Sequence, residues 1–250
     1  MKTAVITGGS RGLGKNMALK LAADGHNVIV TYHTNKTEAD AVVSTIQGMG
    51  QKAAALQLDA GDAASLKPFM DTVAKTLQTE FNTDKFDFLI NNAGMGQTIA
   101  FADTTEEDVD KFYNVHYKAV FFITQYALPM MNDGGRIINL SSGTTRFANP
   151  GYHIYASMKS AVETLTRYLA KDLGSRQITV NVVAPGPIET DFNGAAIRNN
   201  PAAKERLSSV TPLGRVGTPD DVGGVVAFLC SDAGGWVNGQ RIEVSGGINL

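Results

Sequence analysis

The chain has 250 residues, with 22 basic and 24 acidic side chains and a formal net charge of −2. That near-balance of interspersed charges leaves no basic stripe for nucleic acid and no polybasic patch for an anionic membrane surface, and no apolar run reaches the roughly 20 residues that cross a bilayer. The lone cysteine, Cys230, excludes an intrachain disulfide, and its neighbours Phe228 and Leu229 mark it as a reduced core residue.

The first predicted strand covers residues 3–7 and starts without a charged leader or cleavage site, so the expectation is a cytoplasmic protein. Thr7-Gly8-Gly9-Ser10-Arg11-Gly12-Leu13-Gly14 follows, and then a helical stripe, Leu13/Met17/Leu21. Glycines between a first strand and a first helix let the chain turn tightly. They also bring a pyrophosphate to the helix N-terminus, where free N–H groups and the helix dipole favour anions. Gly8, Ser10, Arg11, Gly12, Leu13 and Gly14 are therefore candidate dinucleotide contacts. The same stretch fits the Gly-x-Ser-x-Gly elbow of an α/β-hydrolase, with Ser10 as nucleophile. That fold needs strands and an oxyanion loop upstream, and only nine residues precede Ser10.

The second strand, 27–31, runs into Tyr32-His33-Thr34-Asn35-Lys36. NAD sites carry a carboxylate near this point for the ribose 2′-hydroxyl. None stands here, and Arg11 with His33 or Lys36 can neutralise a 2′-phosphate, so NADPH (NADP+) is expected in preference to NADH. Further strands are predicted at 53–58, 86–91, 135–141, 178–184 and 240–244, separated by stripes such as Ala39/Val42/Val43/Ile46 and Leu66/Phe69/Val73/Leu77. The alternation describes βαβ units, hence an α/β fold around a seven-stranded parallel sheet. No linker divides the chain, so residues 1–250 are expected to form one domain. The long connection at about 187–215 keeps Phe192, Ile197, Leu207 and Val210 and reads as a substrate lid. Thr218-Pro219 then opens a helix, with Thr218 as N-cap and Pro219 in the first helical position.

Ser142, Tyr155 and Lys159 stand thirteen and then four residues apart, with the Tyr-Lys pair on one long predicted helix. A phenol of ordinary pKa is a poor acid at neutral pH, and a nearby cation lowers that pKa. A lowering of roughly 3 units requires about 4 kcal/mol, a load for one close lysine plus a cationic cofactor ring.

These residues resemble the short-chain dehydrogenase/reductase family. The resemblance runs through residues 7–14, Asn91-Asn92-Ala93-Gly94, Ser142, Tyr155-x-x-x-Lys159, Asn181-Val182-Val183-Ala184-Pro185-Gly186 and Gly246-Gly247, nearly the whole chain. It implies a doubly wound Rossmann fold with strand order 3-2-1-4-5-6-7, a cofactor along the C-terminal strand edge, and a homotetramer or dimer. It gives Asp59 to the adenine, Tyr32 and His33 to the same end of the cofactor, and Asn91, Ala93 and Gly94 to the adjoining ribose. Pro185, Gly186, Ile188 and Thr190 would hold the nicotinamide. Tyr155 would donate the proton in carbonyl reduction, Lys159 would lower its pKa and grip the ribose, and Ser142 would bind the substrate oxygen.

Two departures stand out. His116 falls where the family carries a catalytic asparagine, and Asn114 lies two residues earlier, about 200° around an α-helix. His116 is expected either to replace the asparagine in a water relay behind Lys159 or to fill space as a buried histidine. Ser245 stands where an aspartate is common, at the C-terminal turn. His26, His33 and His153 show no metal-ligand spacing, so no metal is expected. Met95, Gln97, Thr144, Phe147, Tyr152 and Phe192 are candidates for a largely apolar pocket, which suits a small hydrophobic ketone. The alternative is a 3-oxoacyl carrier-protein reductase, disfavoured because Met130–Arg136 is acidic before Arg136, although Arg176 remains a candidate cation for the acidic partner. A non-catalytic nucleotide sensor would have no use for Ser142, Tyr155 and Lys159.

Overall fold

The computed structural model describes all residues from 1 to 250. Short β-branched and aliphatic runs form seven strands: Thr3–Ile6 (β1), Asn27–Tyr32 (β2), Ala53–Gln57 (β3), Phe86–Asn91 (β4), Met131–Leu140 (β5), Thr179–Pro185 (β6) and Arg241–Val244 (β7). The amphipathic stripes between them form Gly12–Ala23 (α1), Lys36–Gly48 (α2), Leu66–Thr76 (α3), Glu106–Tyr113 (α4), Ala119–Ala127 (α5) and His153–Asp172 (α6). After β6 come the short turn Phe192–Ala195 (α7), Pro201–Ser209 (α8) and Pro219–Cys230 (α9). All strands are parallel, in the order β3-β2-β1-β4-β5-β6-β7.

The two-residue period of the strands sorts the core into two layers. Val5, Ile29, Leu89, Ile137 and Val180 face α3, α5 and α6 through Phe69, Val73, Ile123 and Ala170. Ala4, Ile6, Val28, Val30, Phe88 and Ile90 face α1, α2 and α9 through Met17, Leu21, Ile46 and Val226. Cys230 lies in this second layer as a buried free thiol. The chain winds outward from β1 to β3 and then returns to place β4 on the other side of β1. Ligands of doubly wound sheets bind where the winding reverses, outside the carboxyl ends of the strands.

Two local features differ from the sequence expectation. β5 starts at Met131, four residues before the predicted edge, because buried Met131 pairs with Phe86 and a register shift follows before Arg136 meets Phe88. Gly134 takes a φ of 75°, and a Cβ on Gly135 would lie 2.7 Å from the Asp87 carbonyl, so the glycines make this irregularity possible. Between α4 and α5, residues Asn114–Lys118 form one π-helical turn rather than α-helix. The spacing of apolar residues carries no sign of this extra width. The Thr218 start, by contrast, is as expected: Pro219 opens α9, and the Asp221 carboxylate accepts from the Thr218 N–H and hydroxyl.

Candidate active site

The glycine turn is closed by contacts that admit no side chain. Gly8 has a φ of 66° and Gly12 a φ of 55°, and a Cβ on Gly14 would stand 2.1 Å from the Gly8 carbonyl oxygen. Thr7 Oγ accepts from the N–H groups of both Asn92 and Ala93 at 3.0 Å, and the Asn92 amide donates to the carbonyls of Thr7 and Gly8 at 2.9 Å. The end of β1 is thereby stitched to the end of β4. Ser10, Arg11, Gly12, Lys15, Glu38, Ala41 and Asp191 line a cleft of about 240 Å³ at the start of α1. Arg11 and Lys15 have no carboxylate within 4.0 Å, so two cations and the first N–H groups of α1 are free for an anion. Lys36 differs, because Asp40 one helical turn later engages it at 2.7 Å. His33 lies 3.5 Å from Asp59 at the exposed ends of β2 and β3.

Asn91 stands at the carboxyl end of β4. Its side chain is turned under the sheet, donating to Thr124 Oγ at 3.0 Å and to Asn139 Oδ1 at 2.8 Å, while Asn139 donates to Thr166 Oγ at 2.9 Å. Only main-chain atoms of Asn91 remain for a ribose. The sequence places the NNAG motif but does not show which asparagine points inward.

Lys159 and Tyr155 lie one turn apart on α6, and Ser142 comes from the loop after β5. Thr144 donates to Ser142 Oγ through its N–H at 3.2 Å and its hydroxyl at 3.0 Å, which leaves the Ser142 proton free to donate toward the Tyr155 phenol. Ser141 is excluded as a rival because its hydroxyl points to Glu163 at 2.6 Å. The buried Lys159 ammonium donates to the Leu140 carbonyl at 2.7 Å and sits 5.7 Å from the centre of the Tyr155 ring.

The expected acidification of Tyr155 is not a property of the polypeptide alone. Burial pushes the phenol up to about 12, against the pull of the Ser142 hydrogen bond. The same burial brings Lys159 down to about 8. Desolvation outweighs one cation whose own charge it also disfavours.

His116 is fully buried in the π turn. Its ring stacks on Phe112 at 5.5 Å and meets Tyr155 edge-on at 5.1 Å. Nε2 lies 2.9 Å from the Met95 carbonyl and 3.4 Å from the Met95 N–H, and Nδ1 has no partner. Burial and the neighbouring Lys159 cation hold its pKa well below the usual histidine value.

A family model described as Enoyl-(Acyl carrier protein) reductase matches residues 8–249. A short-chain dehydrogenase/reductase from Serratia marcescens superposes with a TM-score of 0.91 at 34% identity, covering 100% of this chain and 98% of that one. The chain belongs to the short-chain dehydrogenase/reductase family. The 3-oxoacyl-[acyl-carrier-protein] reductase FabG of Staphylococcus aureus is 38% identical over 251 residues, covering 100% of this chain and 98% of the relative. The angucycline C-6 ketoreductase LanV, solved with bound NADP, has a TM-score of 0.93 at 39% identity and covers 98% of this chain and 95% of its own.

The mouth of the site in this chain is aromatic. Phe192 lies 6.0 Å and Tyr152 6.2 Å from the Tyr155 ring. Phe192 packs on Gly96, where a Cβ would come within 2.6 Å of its ring, and Phe147 packs on Gly143 in the same way at 2.9 Å. Asn193 donates to the Tyr152 hydroxyl at 3.0 Å. Gln97, in contrast, is exposed. On the other wall, Ile188 bridges to Gly217, Thr190 stands 3.6 Å from where a Gly12 Cβ would be, and Gly186 closes on Ser245, leaving only 2.7 Å for a Cβ. Thr7 and Asn92 stand in the quoted motifs without an assigned role, and Asn139 is not singled out at all, since an asparagine inside a strand has no distinctive pattern.

Proposed function

We propose that the protein is an NADP(H)-dependent reductase of hydrophobic, aromatic-flanked ketones, with Tyr155 as proton donor. The convergence of Ser142, Tyr155 and Lys159 at the carboxyl ends of β5 and α6's first turns carries this reading. The glycine cradle fits a dinucleotide: its Cβ-intolerant turn lets phosphate oxygens approach, and Arg11 and Lys15 offer unpaired charge for phosphates, which supports NADPH over NADH. Asp59, Ala93, Gly94, Pro185, Gly186, Ile188 and Thr190 flank the same strand edge and would bind the rest of the cofactor. The related LanV, described as a ketoreductase with bound NADP, agrees with this choice.

A bound nicotinamide supplies the hydride and, once oxidised, a positive charge. Ser142 donates to the carbonyl oxygen as negative charge builds there, and Tyr155 delivers its proton to the same oxygen. Lys159 holds its ammonium beside the phenol and favours the tyrosinate left behind. The apolar rings of Tyr152 and Phe192 exclude water from that exchange. The segment at about 187–215, with Phe192 against the Tyr155 ring and Asn193 on the Tyr152 hydroxyl, serves as the substrate lid.

Neither alternative finds support in the geometry. Ser10 makes no hydrogen bond to a histidine or carboxylate, so no activated nucleophile forms. Arg176 is held by Asp133 and the carbonyls of Leu128 and Met131, and Arg136 is buried against Gly134 and Gly135, so neither cation faces an acidic carrier protein.

The test is oxidation of NADPH and NADH against aromatic and aliphatic ketones, 3-oxoacyl thioesters and quinones. Aromatic ketones with NADPH should turn over fastest. Tyr155→Phe should lose roughly 10²–10⁴-fold in kcat while still binding NADPH; full activity in that variant would refute the assignment.

A further inference from the structure

The Ser142 hydroxyl faces Tyr155, but its main chain is held by something the hydride chemistry does not require. The Ser142 carbonyl accepts from Arg241 at 3.2 Å and from Thr145 Oγ at 2.9 Å. Arg241 Nε in turn donates to Glu163 Oε1 at 2.8 Å, and that one oxygen also accepts from Ser141 Oγ at 2.6 Å and, at 2.8 Å, shares the single Thr145 hydroxyl proton with the Ser142 carbonyl. Arg241 Nη1 reaches Glu243 at 3.0 Å, and Arg146 grips Glu243 with two bonds of 2.8 Å. Two further Arg146 N–H groups donate to the carbonyls of Ile248 and Asn249.

Four charges of alternating sign thus run from α6, through β7, to the loop that carries Ser142. The side chains of Glu163, Glu243 and Arg241 are only 14%, 18% and 24% exposed. Ion pairs this far from water gain little net stability and are best justified by the geometry they impose. What this one fixes is the turn Ser141–Thr145, clamped by side-chain bonds at residues 141 and 145 and a carbonyl bond at 142.

We propose that Glu163 and Arg241 are positioning residues that hold the Ser142 hydroxyl at Tyr155. The proposal rests on the ketone-reductase reading above. A displacement of about 1 Å at a reacting group is enough to cost roughly 100-fold in rate, so loosening the clamp should appear in kcat.

The variants are Glu163→Gln, Arg241→Met and Arg241→Lys, with Tyr155→Phe alongside. Glu163→Gln and Arg241→Met should lower kcat at least about 10-fold, with the NADPH dissociation constant within about twofold of the parent. The alkaline limb of the kcat profile should move upward, because a weaker Ser142 hydrogen bond stabilises the tyrosinate less. Arg241→Lys keeps the charge but not the fork that spans Glu163 and the Ser142 carbonyl, so it should fall between the parent and Arg241→Met. Lower melting temperatures with parental kcat, KM and pH limb would reduce the network to a staple between α6 and β7 and overturn the proposal. If the parent itself reduces no ketone, the functional reading fails separately. Crystal structures of the parent and Glu163→Gln then decide the clamp: a Ser142 Oγ moved by about 1 Å supports it, and an unmoved one overturns it. Should Glu163→Gln prove insoluble, Arg241→Lys supplies the same comparison.

Discussion

At Lys159 and Tyr155 one burial acts on two groups with opposite consequences. Lys159 has its pKa lowered to about 8 from 10.5, so between those values the unfolded chain binds more protons and stability rises with pH. Tyr155 is raised from 10.0 to about 12, so above pH 10 the folded chain keeps the extra proton and stability falls as pH rises. Urea midpoints at pH 8, 9 and 10 should therefore climb for the cofactor-free parent and stay level for Lys159→Met; equal slopes would refute the buried, charge-averse lysine. His116 is neutral throughout that range, with Nε2 against the Met95 main chain. His116→Asn should leave both pKa values of the kcat profile in place and change kcat by less than about 100-fold, whereas a moved limb would mean that the imidazole relays protons.

At the level of elements, the decisive contacts join strand ends to one another. Thr7 Oγ satisfies two N–H groups of the β4–α4 connection at once. Thr7→Val keeps the shape and orphans both donors, with an expected loss of about 2 kcal/mol or more and weaker NADPH binding, measured by denaturation and fluorescence titration. Seven strands and their helices were legible because strand and helix periods differ, and glycine and proline mark the turns. The site was legible where chemistry demands a residue type, as for Tyr155, Lys159 and the glycine turn. What remained hidden depends on which way a side chain turns. Asn91 and Asn92 are adjacent letters, yet one lies under the sheet and the other braces the glycine turn. The Ser142 clamp was equally invisible, since Glu163 and Arg241 are 78 residues apart and read singly as surface charges.

For the molecule as a whole, the two faces of the sheet are covered, yet large apolar groups remain outside. Trp236 is 98% exposed, Phe101 84% and Tyr168 67%. Tyr113, Tyr117 and Phe121 add an aromatic ladder along the α4–α5 segment. Where such side chains form one contiguous patch they mark a contact surface, which would suit the homo-oligomer that the family resemblance implies. Sedimentation should give a dimer or tetramer of the 26.5 kDa chain, and a monomer would refute it.

The π turn at Asn114–Lys118 is one residue wider than the helices it joins. Deleting Val115 would allow α4 and α5 to merge into a regular helix, and local hydrogen bonding would improve. With α5 held in place, however, α4 would swing by about 100°, and Phe112, the one buried side chain of α4, would leave the core and its place against His116. A shorter chain would thus make a more regular helix while losing the ring stacked behind His116, so the surplus residue works as a spacer.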